Sequence, residues 1–386
     1  MRFLVLGGGA QGSAAAYDLL KQEDVSHVTI ADLNVGSLHP ALAPHLGERL
    51  EVAQVDATDR DQVAAVMEGA KGVLCGLPYY LNPLASEMAV EAGAHFADLG
   101  GNTAIVQEQR KLDGAARAKG ITVTPDTGLA PGMVNILAQG GIDDLDQVEA
   151  VRMWVGGLPR DPQPPLNYQI VYSLEGVLDY YVTPALILRD GELATVEALS
   201  GMEMLNFPEP IDQLEAFFTG GGNSTLPYRY HGEIPTIEYK TLRYPGHAKI
   251  MRAIRDLGLL ADEEVDFKGC PVNPRKFFID RVAPRLTNPE GNDLVVARVE
   301  VSGVKDDVPS RIRFDVLDYY DGETGLTAMT RTTGFALSVT GLIQARGQVQ
   351  RSGVGTPDEV IPPGLFIEEM GARGIEITRS DLQDTR

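Results

Sequence analysis

Phe3-Leu4-Val5-Leu6 runs straight into Gly7-Gly8-Gly9-Ala10-Gln11-Gly12, and a helical segment, Ser13 to Lys21, follows at once. An apolar strand, a Gly-x-Gly-x-x-Gly turn and a helix in that order are what a dinucleotide-binding βαβ unit requires. Gly7 permits the tight turn, Gly9 lets backbone approach a pyrophosphate, and Gly12 lets the helix pack on the strand. Ala10 and Gln11, within the turn, are candidate cofactor contacts, and the N–H groups that open the helix face the phosphates. A second strand, His27 to Ala31, ends at Asp32, 20 residues past Gly12, where a carboxylate is expected to accept the ribose hydroxyls. Positions 33–37 hold no Arg or Lys to meet a 2′-phosphate, and Asp32 would repel one. The expected cofactor is NAD.

The alternation continues. Strand-like runs at Leu50–Val55, Gly72–Leu77, Ala94–Leu99 and Ile121–Thr124 are separated by helical segments, including 84–92 and about 104–118. Thr58 with Asp61 resembles a capping box at the start of one of them. Ligands in open α/β sheets sit beyond the carboxyl ends of strands. Leu77 and Pro78, Gly100, and the turn around Asp126 are therefore candidate edges of the nicotinamide site. Asp56, with Ala57 beside it, either contacts the adenosine end of the cofactor or is an ordinary strand-end polar residue.

From about Gln147 the pattern changes to strand-like runs at Val148–Val155, Thr236–Leu242, Asp293–Gly303, Arg311–Tyr320 and Leu326–Thr330, with helices near 173–181 and 247–258. The expected fold is α/β: a Rossmann-type doubly wound parallel sheet with a second α+β domain carrying a mixed or antiparallel sheet. Thr332–Ala345 has helical spacing and Pro363–Ile377 reads as helix, glycine and short strand. Both can return to the first domain, giving 1–131 with 333–386 for cofactor and 132–332 for substrate.

The net charge of −21 disfavours a nucleic-acid partner. No apolar stretch reaches membrane-spanning length. Two cysteines, Cys75 and Cys270, are too few for a disulfide framework or a zinc site, so a cytoplasmic setting and no metal are expected.

Gly7–Gly12, Asp98-Leu99-Gly100-Gly101, Pro125-Asp126 through Ala130-Pro131-Gly132, Gly156-Gly157-Leu158-Pro159 and Leu242-Arg243-Tyr244-Pro245-Gly246-His247 together resemble the saccharopine dehydrogenase-like family. Tyr172-Ser173-Leu174-Glu175-Gly176, Thr219-Gly220-Gly221-Gly222 and Ser224-Thr225-Leu226 are most similar to its lysine 6-dehydrogenase branch. The resemblance implies NAD-dependent oxidative deamination of the L-lysine ε-amine, a Rossmann domain built from both chain ends, and a homodimer or higher oligomer formed through the dimerisation domain, 132–332. It also implies an Arg where this chain has Glu175 in relatives that take a dicarboxylate. A carboxylate there would repel glutamate-like substrates and hold an ammonium group instead, unless Glu175 simply faces solvent on its helix.

The chemistry needs a base, since hydride leaves a carbon bearing a neutral amine and the lysine amine titrates near 10.4. Candidates are His247, Asp126 and Glu175. His247 sits where a helix begins, which favours its neutral form, or it merely caps and packs that helix. For the substrate carboxylate the candidate donors are Lys240, Arg243 and the backbone of Gly221 and Gly222, or these are a solvated strand face and a flexible loop. Tyr79 flanks the nicotinamide and substrate, or is plain packing. Rival readings are a Schiff-base reductase of the saccharopine or carboxynorspermidine type and a dinucleotide sensor without turnover.

Overall fold

The computed structural model describes residues 1–36, 38–288 and 291–383; Ser37, part of the segment read above for a 2′-phosphate cation, lies outside them. Six strands form where the apolar runs place them: β1 (Arg2–Leu6), β2 (His27–Asp32), β3 (Leu50–Gln54), β4 (Gly72–Cys75), β5 (His95–Asp98) and β6 (Thr122–Thr124). With a short edge strand, Gly353–Val354, they make one parallel sheet in the order Gly353–Val354, β6, β5, β4, β1, β2, β3. Parallel strands need crossover helices on both faces, so their interiors are apolar throughout, as in the fully buried Phe3 to Leu6. The strand order reverses between β1 and β4, and the glycine turn lies in the crevice this creates.

That turn is built as the spacing requires. Gly7 has φ +94°, and a Cβ on Gly12 would meet the Gly7 carbonyl oxygen at 1.9 Å. Helix Ala10–Lys21 can therefore sit this close to β1 only with glycine at 12. Two local readings shift. Helix Arg60–Met67 is capped by Asp59, whose side chain accepts from the N–H groups of Asp61 and Gln62, one residue beyond the expected Thr58. The long helix near 104–118 is two, Thr103–Gln109 and Asp113–Ala118, joined by a 3-10 turn.

The second sheet has nine strands. Gln147–Pro159 lies at its centre, parallel to Thr236–Arg243 on one side and antiparallel to Asp293–Lys305 on the other. Val308–Tyr319 continues it. Four short strands between residues 185 and 218 and helix Pro274–Leu286 carried no readable periodicity. Leu326–Thr330, expected as a strand, instead starts a helix: the Thr327 side chain accepts from the N–H of Thr330 and caps Ala328–Ala345.

This helix joins the two sheets. Leu337 and Leu342 pack with Phe3, Val5 and Leu74 of the first sheet. Phe335, Ala336, Val339 and Ile343 pack with Val295, Val299 and Val316 of the second. Gly334 allows the crossing with helix Ala10–Lys21, since a Cβ there would lie 2.7 Å from the Ala14 Cβ. The final strand, Ile377–Gln383, expected with the first domain, pairs antiparallel with Val308–Tyr319, so the chain returns to the second sheet. No helix among the described residues is long and apolar enough to cross a membrane.

Candidate active site

A cleft of about 800 Å³ separates the carboxyl ends of the first-sheet strands from one face of the second sheet. Gln11, Leu77, Pro78, Tyr79 and Gly100 line the first wall; Tyr172, Glu175, Asp179, Tyr180, Tyr239 and Arg243 line the second. Side chains alternate along a strand, so Tyr239, Thr241 and Arg243 face the cleft while Lys240 turns away. Lys240 Nζ lies 2.9 Å from Glu203 Oε1 and over the Phe218 ring. The expected role of Lys240 in substrate binding fails for this reason.

Arg243 is 3% exposed and is the one basic side chain lining the cleft among the described residues. Its Nε donates to Tyr181 Oη at 3.1 Å, its Nη1 to the Leu242 carbonyl at 2.8 Å, and its plane lies over the Tyr168 ring. No carboxylate among the described residues is within ion-pair distance. A buried guanidinium held by neutral acceptors alone is an uncompensated charge, and such a charge is costly unless a ligand anion completes it.

His247 does begin a helix, His247–Asp256, but it lies behind Arg243 and does not line the cleft. The carboxylate of Glu215 fills that helix N-terminus, accepting from the N–H groups of Gly246 and Ala248. Nδ1 of His247 is 3.0 Å from the Leu166 carbonyl and Nε2 is 2.9 Å from Tyr181 Oη. Burial, together with the Arg243 charge, pushes its pKa down to about 3. It cannot reach a substrate as a base.

Asp126 is likewise one layer back. Its Oδ1 accepts from the Gly101 N–H at 3.1 Å and its Oδ2 from the Ser224 hydroxyl, so it ties the β5 turn to the second domain. Burial raises its pKa to about 6. Asp98 next to it, held by Gln109 Nε2 at 2.7 Å, is raised by burial to about 7. Gly100 is required here, because a Cβ would fall 1.6 Å from Asp126 Oδ1. Of the three expected bases only Glu175 reaches the cleft. It sits exposed in the first turn of helix Leu174–Val182, and its carboxylate has no hydrogen-bond or ion-pair partner among the described residues. Asp179, one turn on, is held by Arg275 at 2.6 Å.

The glycine run takes no side chain for a packing reason: a Cβ on Gly222 would enter the Tyr239 ring at 2.4 Å and one on Gly221 the Tyr180 ring at 2.8 Å. Gly220 and Gly222 line the cleft and Gly221 turns behind it. Tyr79 lines it, edge-on to Tyr80. Residues missed in the sequence include Tyr239 and Thr241, which the alternation from Arg243 would have found, and Tyr180, which carried no signal.

The glycine turn fits a dinucleotide. Nothing lies within 4 Å of a Cβ placed on Gly9, and no side chain caps the helix start there, so the first-turn N–H groups at Ala10, Gln11 and Gly12 are open to an anion. Gln11 Oε1 is a buried acceptor without a partner among the described residues. Asp32 Oδ2 accepts from the Gly8 N–H at 2.6 Å and Oδ1 from the Asn34 N–H. Asp56, exposed, holds Thr58 through both its N–H and hydroxyl, with Ala57 in the turn between; neither lines the cleft.

Residues 3–124 match the family model described as the saccharopine dehydrogenase NADP binding domain, and residues 128–375 match the saccharopine dehydrogenase C-terminal domain. The chain belongs to the saccharopine dehydrogenase family. Within that family, saccharopine dehydrogenase [NADP(+), L-glutamate-forming] of Saccharomyces cerevisiae is 26% identical over 313 residues, 79% of this chain and 68% of that protein. The mitochondrial alpha-aminoadipic semialdehyde synthase of Bos taurus is 27% identical over 274 residues, covering 67% of this chain but only 28% of its own length. Among solved structures, apo saccharopine dehydrogenase (L-Glu forming) of S. cerevisiae superposes with a TM-score of 0.80 over 99% of both chains at 19% identity. Homospermidine synthase of Legionella pneumophila in complex with NAD gives 0.68 over 98% of this chain and 91% of that one, at 12% identity. At those identities the two structures show a shared fold.

Proposed function

We propose that this family member oxidatively deaminates the ε-amine of L-lysine: hydride passes to NAD, and water hydrolyses the resulting imine to 2-aminoadipate 6-semialdehyde, which cyclises, with release of ammonia, NADH and a proton. The observation that carries the reading is the charge layout of the cleft among the described residues: one uncompensated cation, Arg243, and a carboxylate without a protein partner, Glu175, at the rim. A substrate with a single carboxylate and amines at both ends of an apolar chain matches that layout. Bound NAD would supply the hydride acceptor. Arg243 would hold the α-carboxylate, Tyr172, Tyr180 and Tyr239 would enclose the methylene chain, and Glu175 would attract the ammonium and take its proton. Asp32 at the end of β2, with no cation in residues 33–36, supports NAD over NADP by repulsion of a 2′-phosphate.

The second reading, oxidative cleavage of saccharopine, is favoured by the activity that names the yeast relative. It asks one arginine to serve a tricarboxylate beside Glu175 and Asp179. The discriminating test is reduction of NAD and of NADP at 340 nm with L-lysine and with saccharopine. Turnover of lysine with NAD, with ammonia released, is expected. Turnover of saccharopine alone moves the chain to the second reading, and cofactor binding without turnover of either refutes both.

A further inference from the structure

Arg243 is buried, yet nothing charged among the described residues holds it in place. Three hydrogen bonds run from it in one direction. Its Nε–H donates to Tyr181 Oη, the Tyr181 hydroxyl then has its proton free for His247 Nε2, and His247 Nδ1 faces the Leu166 carbonyl. A carbonyl only accepts, so Nδ1 carries a proton. Burial beside the Arg243 charge keeps the ring neutral, which leaves Nε2 as the acceptor of the Tyr181 hydroxyl proton. Packing restricts the same groups: His247 stacks on Phe217 with rings 9° from parallel and meets Tyr168 and Tyr181 edge-on. With Nη1 on the Leu242 carbonyl, the guanidinium is held through its Nε and Nη1, and Nη2 has no protein partner among the described residues.

We propose that Tyr181 and His247 are positioning residues that aim the Arg243 guanidinium at a carboxylate in the cleft. This rests on the reading of the cleft given under Proposed function. The relay does two things that an acidic partner would not do together. It fixes the arginine rotamer, and it leaves the positive charge unquenched for the ligand. Burial beside Arg243 keeps His247 neutral, which the direction of the relay requires.

The test uses the full chain with NAD present and two probes that divide the substrate, hexanoate and hexylamine, each titrated calorimetrically into the wild type, Tyr181→Phe and His247→Gln. Tyr181→Phe keeps the ring and removes one hydroxyl, so it guards against a simple folding failure in the histidine variant. Hexanoate is expected to bind about tenfold more weakly to both variants, the size of one lost charge-assisted hydrogen bond, with hexylamine unchanged. Where lysine is oxidised, its KM rises with kcat retained. If the wild type does not oxidise lysine but hexanoate shows the same loss, the lysine reading falls and the relay stands. Three results overturn the relay: hexanoate failing to bind the wild type, hexanoate binding Tyr181→Phe as tightly as the wild type, or equal weakening of both probes.

Discussion

The neutrality of His247 has a measurable thermodynamic signature. In the native protein burial and the neighbouring Arg243 charge hold its pKa at about 3, while in the unfolded chain an imidazole titrates near 6.5. Between those values the unfolded state binds a proton that the native state refuses. The contribution is therefore intact above about pH 6.5 and is lost progressively as pH falls toward 3. At pH 5.0 the distance from 6.5 is about 1.5 units, or about 2 kcal/mol at ~1.4 kcal/mol per unit. His247→Gln places a non-titrating amide there and removes this slope, whatever fixed penalty it adds by weaker packing on Phe217. Urea unfolding followed through Trp154, the single tryptophan and buried in the second sheet, gives the stability of both proteins at pH 7.5 and 5.0. The gap between wild type and variant is expected to narrow by about 2 kcal/mol at the lower pH. Asp98 and Asp126 titrate in the same window but touch neither form of residue 247, so they cancel in the difference. Parallel pH dependences in the two proteins would refute the buried, neutral assignment.

Three further outcomes follow from other parts of the structure. Burial raises Asp98 to about 7, so the native state keeps a proton that the unfolded chain loses from about pH 4 upward. Its contribution declines as pH rises toward 7, and Asp98→Asn should gain about 2–4 kcal/mol on the wild type between pH 5 and 8 in urea titrations. Asp32→Ala removes a carboxylate bonded to Gly8 at 2.6 Å and should weaken NAD binding by about tenfold or more in calorimetric titration; unchanged affinity would remove Asp32 from the cofactor site. Gly222→Ala drives a methyl group into the Tyr239 ring, and a loss of about 1–3 kcal/mol in stability with a raised KM for lysine is the expected reading in a thermal melt and a rate assay.

The sequence shows the first domain far better than the second because its signals are local. A glycine turn, an apolar four-residue strand and an acid 20 residues on are all close in the chain, and β1 to β6 form where they indicate. In the second domain, pairing partners are distant, and strands such as Glu203–Asn206 are too short for a period-2 pattern to stand out. The site divides along the same line. Leu77, Pro78, Tyr79 and Gly100 are strand-end residues and reach the cleft by topology alone. His247 and Asp126 lie in motifs and look exposed to chemistry in one dimension, but the structure places a side chain or a turn in front of each. Lys240 and Arg243 looked equivalent because neither the inward face of their strand nor its neighbours could be assigned from one chain. Their separation of three residues, an odd number, puts the two side chains on opposite faces.

Helix Ala328–Ala345 has a consequence for how this chain acquires its shape. It covers one face of the first sheet with Leu337 and Leu342, yet it is encoded after most of the second sheet. During synthesis β1 to β6 emerge roughly 200 residues ahead of that cover, a delay of about 10–40 s at about 5–20 residues per second. Until then Phe3, Val5 and Leu74 have only part of their native packing. The first lobe is thus complete in sequence long before it is complete in space, and its consolidation coincides with that of the second rather than preceding it.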